Sequence, residues 1–177
     1  MKTMTAEKAA LLIVDFQSRL MPAIADAAPA IANARRLIDA AALLKVPVLF
    51  TEQNPKGLGP TLGTLNAPEA STTHKMSFDA CREAGFLGKL KGTSEVVVAG
   101  CEAHVCVLQT VLGLLYAGFR VFCVRDAIGA RQPASKEAAL RRMQRHGADV
   151  VTTEMVIFEW LGSCENSQFR NVLPLVK

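Results

Sequence analysis

No stretch of this 177-residue sequence approaches the roughly 20 consecutive apolar residues of a membrane span. Met1 to Lys8 is charged like the start of a leader. The apolar run behind it, Ala9–Val14, is too short for a signal segment and ends on Asp15. Aromatic residues are scarce, at 6%, and basic residues form no run longer than the pairs Arg35-Arg36 and Arg141-Arg142. A nucleic-acid groove needs a basic stripe with stacking platforms, so the net charge of +4 does not point to one. The five cysteines, an odd number at irregular spacing, contain no Cys-x-x-Cys. That argues against a disulfide framework, a zinc ribbon and a thioredoxin-type redox pair, and fits a cytoplasmic protein with reduced thiols. Internal repeats and low-complexity segments are absent, and 12 Gly and 8 Pro show no period. The turn after the first apolar run, Asp15-Phe16-Gln17-Ser18-Arg19, has no glycine, which excludes the phosphate-cradling turn of a dinucleotide site.

What is present is a chain with 50% hydrophobic residues and 20% charged residues, enough to fold as one domain without disulfide staples. Short apolar runs at Ala9–Val14, Val46–Phe50, Glu95–Ala99, Arg120–Val124 and Ala148–Val151 lack strict alternation. Such runs predict strands buried on both faces, as in a parallel sheet covered by helices. Helical spacing falls between them. Pro29–Leu44 repeats apolar residues near a 3.6 period, and Val105–Ala117, apolar nearly all round, predicts a central helix stopped by Gly118. Ala134–His146 places Ala138, Leu140 and Met143 inward and Lys136, Arg141, Arg142 and Arg145 outward, with Gly147 as its stop. Strands alternating with helices imply right-handed crossovers and an open α/β sheet. Thr51–Ser71, rich in Pro and Gly without a period, reads as a long binding loop beyond a strand end. The apolar Glu154–Gly162 stretch fits packing on the sheet or a subunit interface.

Three residues stand out for chemistry. Asp15 ends the first apolar run, which puts a carboxylate at the carboxyl edge of a central strand; an isolated Asp there is more often a cap or turn residue. Lys75, before Met76-Ser77-Phe78, could reach the same rim from a short edge strand, although a lone lysine is usually a surface residue. Cys106 follows Gly100-Cys101-Glu102-Ala103-His104-Val105, where a strand turns into a helix. A thiol in a first helical turn meets unpaired N–H groups and the positive end of the macrodipole, which should lower its pKa. The same loop could aim two N–H groups at one oxyanion. The competing reading for Cys106 is a buried structural cysteine. Cys101, Cys123 and Cys164 read as packing residues, and Cys81 lies early in a helical segment.

Together these residues resemble the isochorismatase-like cysteine hydrolase superfamily. The likeness is carried by Leu11-Leu12-Ile13-Val14-Asp15-Phe16-Gln17, by Lys75 in His74-Lys75-Met76-Ser77-Phe78, and by Val96-Val97-Val98-Ala99-Gly100-Cys101-Glu102-Ala103-His104-Val105-Cys106-Val107. It continues through Gln109-Thr110, Ala117-Gly118 and Arg125-Asp126-Ala127. The resemblance implies one Rossmann-like α/β/α sandwich over residues 1–177 with a six-stranded parallel sheet. It implies Asp15 as general base, Lys75 as electrostatic partner and Cys106 as nucleophile. It also implies a cis peptide at Cys101–Glu102, with the N–H groups of Glu102 and Cys106 as the oxyanion hole.

Family nicotinamidases carry an Asp-x-His metal motif after the second strand. Here that position reads Thr51-Glu52-Gln53-Asn54-Pro55, and the only histidines are 74, 104 and 146, without zinc-ligand spacing. No metal or other cofactor is therefore expected, and nicotinamide is not the expected substrate. The family also includes vinyl-ether hydrolases that need no cysteine, so the family alone leaves the bond cleaved open. Thr51–Thr61 looks like a pocket-lining loop, and Phe16, Gln53, Phe78 and His104 are candidates to touch substrate. The expected activity is hydrolysis of a small amide or related C–N bond through a thioester. The alternatives are a non-catalytic scaffold and a redox sensor pairing Cys106 with Cys101 or Cys123. A small-molecule substrate and a homo-oligomer are expected; nucleic-acid and membrane partners are not.

Overall fold

A computed structural model describes residues 3–177; Met1 and Lys2, part of the leader-like segment and of the predicted domain, lie outside them. The apolar runs form six strands: β1 Ala9–Val14, β2 Val48–Gln53, β3 Thr72–Lys75, β4 Glu95–Cys101, β5 Arg120–Gly129 and β6 Asp149–Val151. They make one parallel sheet in the order β3-β2-β1-β4-β5-β6. The helices are α1 Ala27–Leu44, α2 Pro55–Leu58, α3 Leu108–Tyr116, α4 Pro133–Arg145, α5 Thr153–Leu161 and α6 Phe169–Val172.

Two apolar layers explain why the strands read as unbroken hydrophobic runs. Leu11, Ile13, Val97, Ala99, Phe122 and Val124 face a core shared with Leu37 and Ala41 of α1 and Ile157 and Trp160 of α5. Leu12, Val14, Val96, Val98, Val121 and Cys123 face the other way, against Val111 and Leu114 of α3 and Leu140 and Met143 of α4. The result is a single α/β/α sandwich with a six-stranded parallel sheet.

Several boundaries differ from the sequence reading. The second strand begins at Val48 and continues through Thr51, Glu52 and Gln53, so the expected loop starts as buried strand. Its polar end pairs with β1 on one side and β3 on the other, with Val14 opposite Thr51 and Gln53 opposite Lys75. Backbone pairing on both sides keeps the chain extended there despite the loss of apolar side chains. Short helical turns break the rest of the loop. The Val105–Ala117 helix is not central. A π-helical turn, Ala103–Val107, precedes α3, and Gln109, Tyr116 and Ala117 face solvent. On α4, Ala138 is exposed and Ala139 takes the inward position, while Lys136 is half-buried instead of outward. Cys164 is exposed, not packed. The Glu154–Gly162 stretch does pack on the sheet through Val156, Ile157, Trp160 and Leu161, although Met155 and Phe158 remain exposed.

Between β1 and β4 the strand order reverses direction, and ligands of such sheets bind beyond the strands' carboxyl ends at that point. Gly100 lets the two strands close up there. Its φ is 148, and a Cβ would run into the Val14 carbonyl. The rims of β1 and β4 are thereby held side by side.

Candidate active site

Asp15 steps out of β1 in a left-handed conformation, with φ of 51, which Asp tolerates better than most residues. Its N–H donates to the Thr51 carbonyl at 3.1 Å, tying this bend to β2. The carboxylate is fully buried: Thr51 Oγ1 donates to Oδ1 at 2.6 Å, and Lys75 Nζ donates to Oδ2 at 2.8 Å. Lys75 ends edge strand β3, and its ammonium also donates to Gln53 Oε1 at 2.7 Å. A buried ion pair survives only when further hydrogen bonds occupy the remaining lone pairs and protons. Thr51 and Gln53 supply them.

Gln53 is itself clamped. Its side-chain amide donates to the Met76 carbonyl at 2.9 Å, its main-chain N–H donates to Gln17 Oε1 at 2.8 Å, and its carbonyl accepts from Gln17 Nε2 at 3.0 Å. Cys106 Sγ lies 3.9 Å from Gln53 Oε1, the oxygen that also accepts from Lys75. Asp15, Lys75 and Cys106 therefore meet around one glutamine, at the crossing of β1, β2 and the turn after β4.

The thiol is not acidified as its place in a first helical turn suggested. Burial pushes Cys106 up to about 12, the Asp15 carboxylate adds to the rise, and the Lys75 ammonium opposes it. With the residue only 6% exposed, desolvation is the largest cause of the rise. The resting nucleophile is thus a neutral thiol.

The Cys101–Glu102 peptide is cis. Glu102 opens the π-helical turn, and its carbonyl accepts from the N–H groups of Val105 and Val107 at 3.0 and 3.2 Å. Its carboxylate accepts from the Arg131 main-chain N–H at 2.9 Å and from Arg131 Nε at 3.1 Å. Burial alone would raise this carboxyl's pKa, but those Arg131 contacts outweigh it and hold the group below the ordinary glutamate range.

A cavity of about 300 Å³ opens onto this constellation. Asp15, Gln53, Glu102 and Cys106 provide its polar lining, Leu20, Ala23, Leu58, Phe78 and Val105 its apolar walls, and Arg131 completes it. Of the four proposed substrate contacts, Gln53 and Phe78 line the cavity. Phe16 does not; it is fully buried in the core on the α1 side. His104 is half-buried outside the lining, and its Nδ1 is buried without a hydrogen-bond partner among the described residues. His74 lies on a different cleft of about 470 Å³, where its Nε2 is 3.3 Å from Glu52. Strand alternation sends it away from its neighbour Lys75.

Leu58 lines the cavity from the loop read as pocket-lining, whereas Leu20, Ala23, Val105 and Arg131 and the supporting roles of Gln17 and Thr51 escaped the sequence reading. Polar residues continuing an apolar run were a usable signal for Thr51 and Gln53. Nothing local marks Arg131, which arrives from beyond β5. Among the described residues, no group of three or more His, Cys, Asp and Glu side chains is arranged to hold a metal ion.

The isochorismatase domain model matches residues 9–155. Mouse isochorismatase domain-containing protein 2A is 33% identical over 174 residues, covering 97% of this chain and 84% of its own. The structure described as the MAR1 ribonuclease of Caenorhabditis elegans superposes with a TM-score of 0.94 at 35% identity, covering 98% of this chain and 92% of its own. The Escherichia coli YcaC gene product, described as an octameric hydrolase of unknown specificity, superposes with a TM-score of 0.89 at 26% identity, covering 98% of this chain and 96% of its own.

Proposed function

The chain belongs to the isochorismatase family, and from that premise we propose that it is a hydrolase of small amides or related C–N bonds, with Cys106 as nucleophile. One observation carries the reading: Cys106 lines a cavity that Asp15 also lines, and Asp15 is ion-paired at 2.8 Å to a fully buried Lys75. In the first step Asp15 takes the thiol proton while Lys75 balances the sulfur's negative charge. The thiolate attacks the amide carbonyl carbon, and the tetrahedral oxyanion rests on the N–H groups of Glu102 and Cys106. Collapse breaks the C–N bond, Asp15 returns its proton to the leaving amine, and a thioester remains. Water, deprotonated by the same carboxylate, attacks the thioester carbon; the C–S bond breaks, the acid leaves, and Asp15 returns the proton to the Cys106 sulfur.

Screening a library of small amides for amine release, with intact-mass detection of an acyl adduct on Cys106, tests this reading. Turnover with an adduct at Cys106 is the expected result. Turnover that needs no sulfur at position 106 would sink it.

The likeness to a protein described as a ribonuclease raises RNA as a rival substrate. The apolar walls of the cavity and the lack of a basic stripe in the sequence speak against it. A redox pair of Cys106 with Cys101 is disfavoured because the two belong to core layers on opposite faces of the sheet. All five thiols are free, which supports a reducing compartment such as the cytoplasm. Among the described residues no helix is long and apolar enough to cross a membrane. The octameric YcaC relative and the exposed Met76, Tyr116, Met155 and Phe158 support assembly into a homo-oligomer.

A further inference from the structure

We propose that the Glu102–Arg131 ion pair makes this site select substrates without charge, namely small amides with a neutral, apolar acyl group. The proposal rests on the hydrolase reading and adds the class of substrate. Three charged residues line the cavity, Asp15, Glu102 and Arg131, and each is already answered. Asp15 is held by Lys75 at 2.8 Å, with both side chains fully buried. Glu102 accepts from Arg131 Nε through both carboxylate oxygens at 3.1 Å; its side chain is 8% exposed and that of Arg131 59%. The two pairs cancel, so no net charge on the lining is left to meet a carboxylate or ammonium of the substrate. The remaining walls are the apolar side chains of Leu20, Leu58, Phe78 and Val105. A charged group brought into about 300 Å³ so lined loses part of its hydration and meets only charges that already carry a partner, Lys75 for Asp15 and Arg131 for Glu102. A neutral acyl chain gains from the same walls.

The ion pair is therefore a specificity device, and removing either partner should give the cavity a sign. The test uses two thiol reagents of nearly equal size, neutral iodoacetamide and anionic iodoacetate, with modification of Cys106 followed by peptide mass spectrometry. Each rate is divided by that of glutathione to remove intrinsic reactivity. The expected result is a normalised preference for the neutral reagent of about tenfold or more. Glu102→Gln keeps the side chain's shape and leaves Arg131 unpaired, and should cut that preference by about tenfold. Arg131→Gln leaves Glu102 unpaired and should increase it, while speeding reaction with a cationic aminoethyl thiosulfonate. The second variant keeps the test alive if the first fails to fold.

Equal normalised rates for the two reagents in the unmodified protein, or a preference for iodoacetate, overturn the proposal. Hydrolysis of carboxylate-bearing amides in preference to neutral ones overturns it too, while leaving the hydrolase reading intact. A neutral preference at Cys106 with no amide hydrolysed sinks the hydrolase reading alone. Failure of both reagents to reach Cys106 removes both.

Discussion

Cys101 and Cys106 flank the same turn, and burial pushes both thiols up to about 12. The Asp15 carboxylate also raises both, and the rest of their surroundings differs. Cys101 ends β4 in the core on the α1 side and lines no part of the site cavity. Cys106 faces that cavity, with Gln53 Oε1 at 3.9 Å and the Lys75–Asp15 pair acting on its charge. Resting acidity therefore does not separate a nucleophile from a packing residue here. What separates them is a carboxylate placed to take the proton at the moment of attack and an ammonium placed to balance the charge it leaves. A general base of this kind works without a standing thiolate.

Exchanging the two sulfurs' roles gives the largest expected effect. Cys106→Ala should lower kcat on an identified amide by about 10⁴-fold or more, whereas Cys101→Ala should stay within about threefold. Steady-state kinetics on both variants, with circular dichroism to confirm folding, would settle it; equal losses would erase the distinction.

Asp15→Asn sharpens the comparison because its two readouts should move in opposite directions. Loss of the base should lower kcat by about 10³-fold. The same change removes a negative charge that raises the Cys106 thiol and leaves Lys75 lowering it, so the pKa falls from about 12. Iodoacetamide should then modify Cys106 faster at pH 8 than in the unmodified protein, while Cys101, which Asp15 also raises, stays unmodified because it is fully buried. A merely structural Asp15 would not speed one reaction while slowing the other.

Lys75→Met should slow alkylation at Cys106, since it removes the cation that opposes the rise. It also leaves the Asp15 carboxylate, fully buried, without its cation, although the Thr51 hydroxyl still donates to it. Breaking a buried pair in this way costs about 3–5 kcal/mol, readable as a lower urea midpoint. The double change Lys75→Met with Asp15→Asn should recover part of that stability without recovering activity.

The sheet was readable in the sequence because its strands are buried on both faces; Leu11 to Val14 and Val96 to Ala99 advertise that directly. The carboxyl ends were harder, because the residues that build the site are the polar ones that end an apolar run. Thr51 and Gln53 looked like loop, yet ladder pairing to β1 and β3 holds them as strand. Asp15, Lys75 and Cys106 could be named from their places beside predicted strands and from a family resemblance. Phe16 could not be placed, because a single residue after a left-handed Asp turns into the core or the cavity according to a dihedral angle no pattern displays. The Cys106 pKa was misjudged for a related reason. A helix terminus is visible in a sequence, but the depth at which surrounding layers bury it is not. Arg131 was invisible because its meeting with Glu102 depends on the end of β5 coming to rest beside the end of β4.

The smallest expected effect concerns the thiols as a group. Burial raises Cys81, Cys101, Cys106 and Cys123 to about 12 from an ordinary value of 9.0. Between those values the unfolded chain gives up thiol protons that the folded chain keeps, so stability falls as pH rises from about 9 to about 12. Below pH 9 these groups contribute no slope. Cys123, packed 3.8 Å from the Met143 sulfur and outside the site cavity, isolates the effect from catalysis. Cys123→Ala should remove one proton's share of the slope, about 1.4 kcal/mol per pH unit at its steepest. Against that gain stands a cavity cost of about 1 kcal/mol that is the same at every pH. Urea unfolding at pH 8 and pH 10.5 distinguishes the two terms, since only the first changes between them. The same loss of stability between pH 8 and pH 10.5 in Cys123→Ala as in the unmodified protein would mean that burial does not set this thiol.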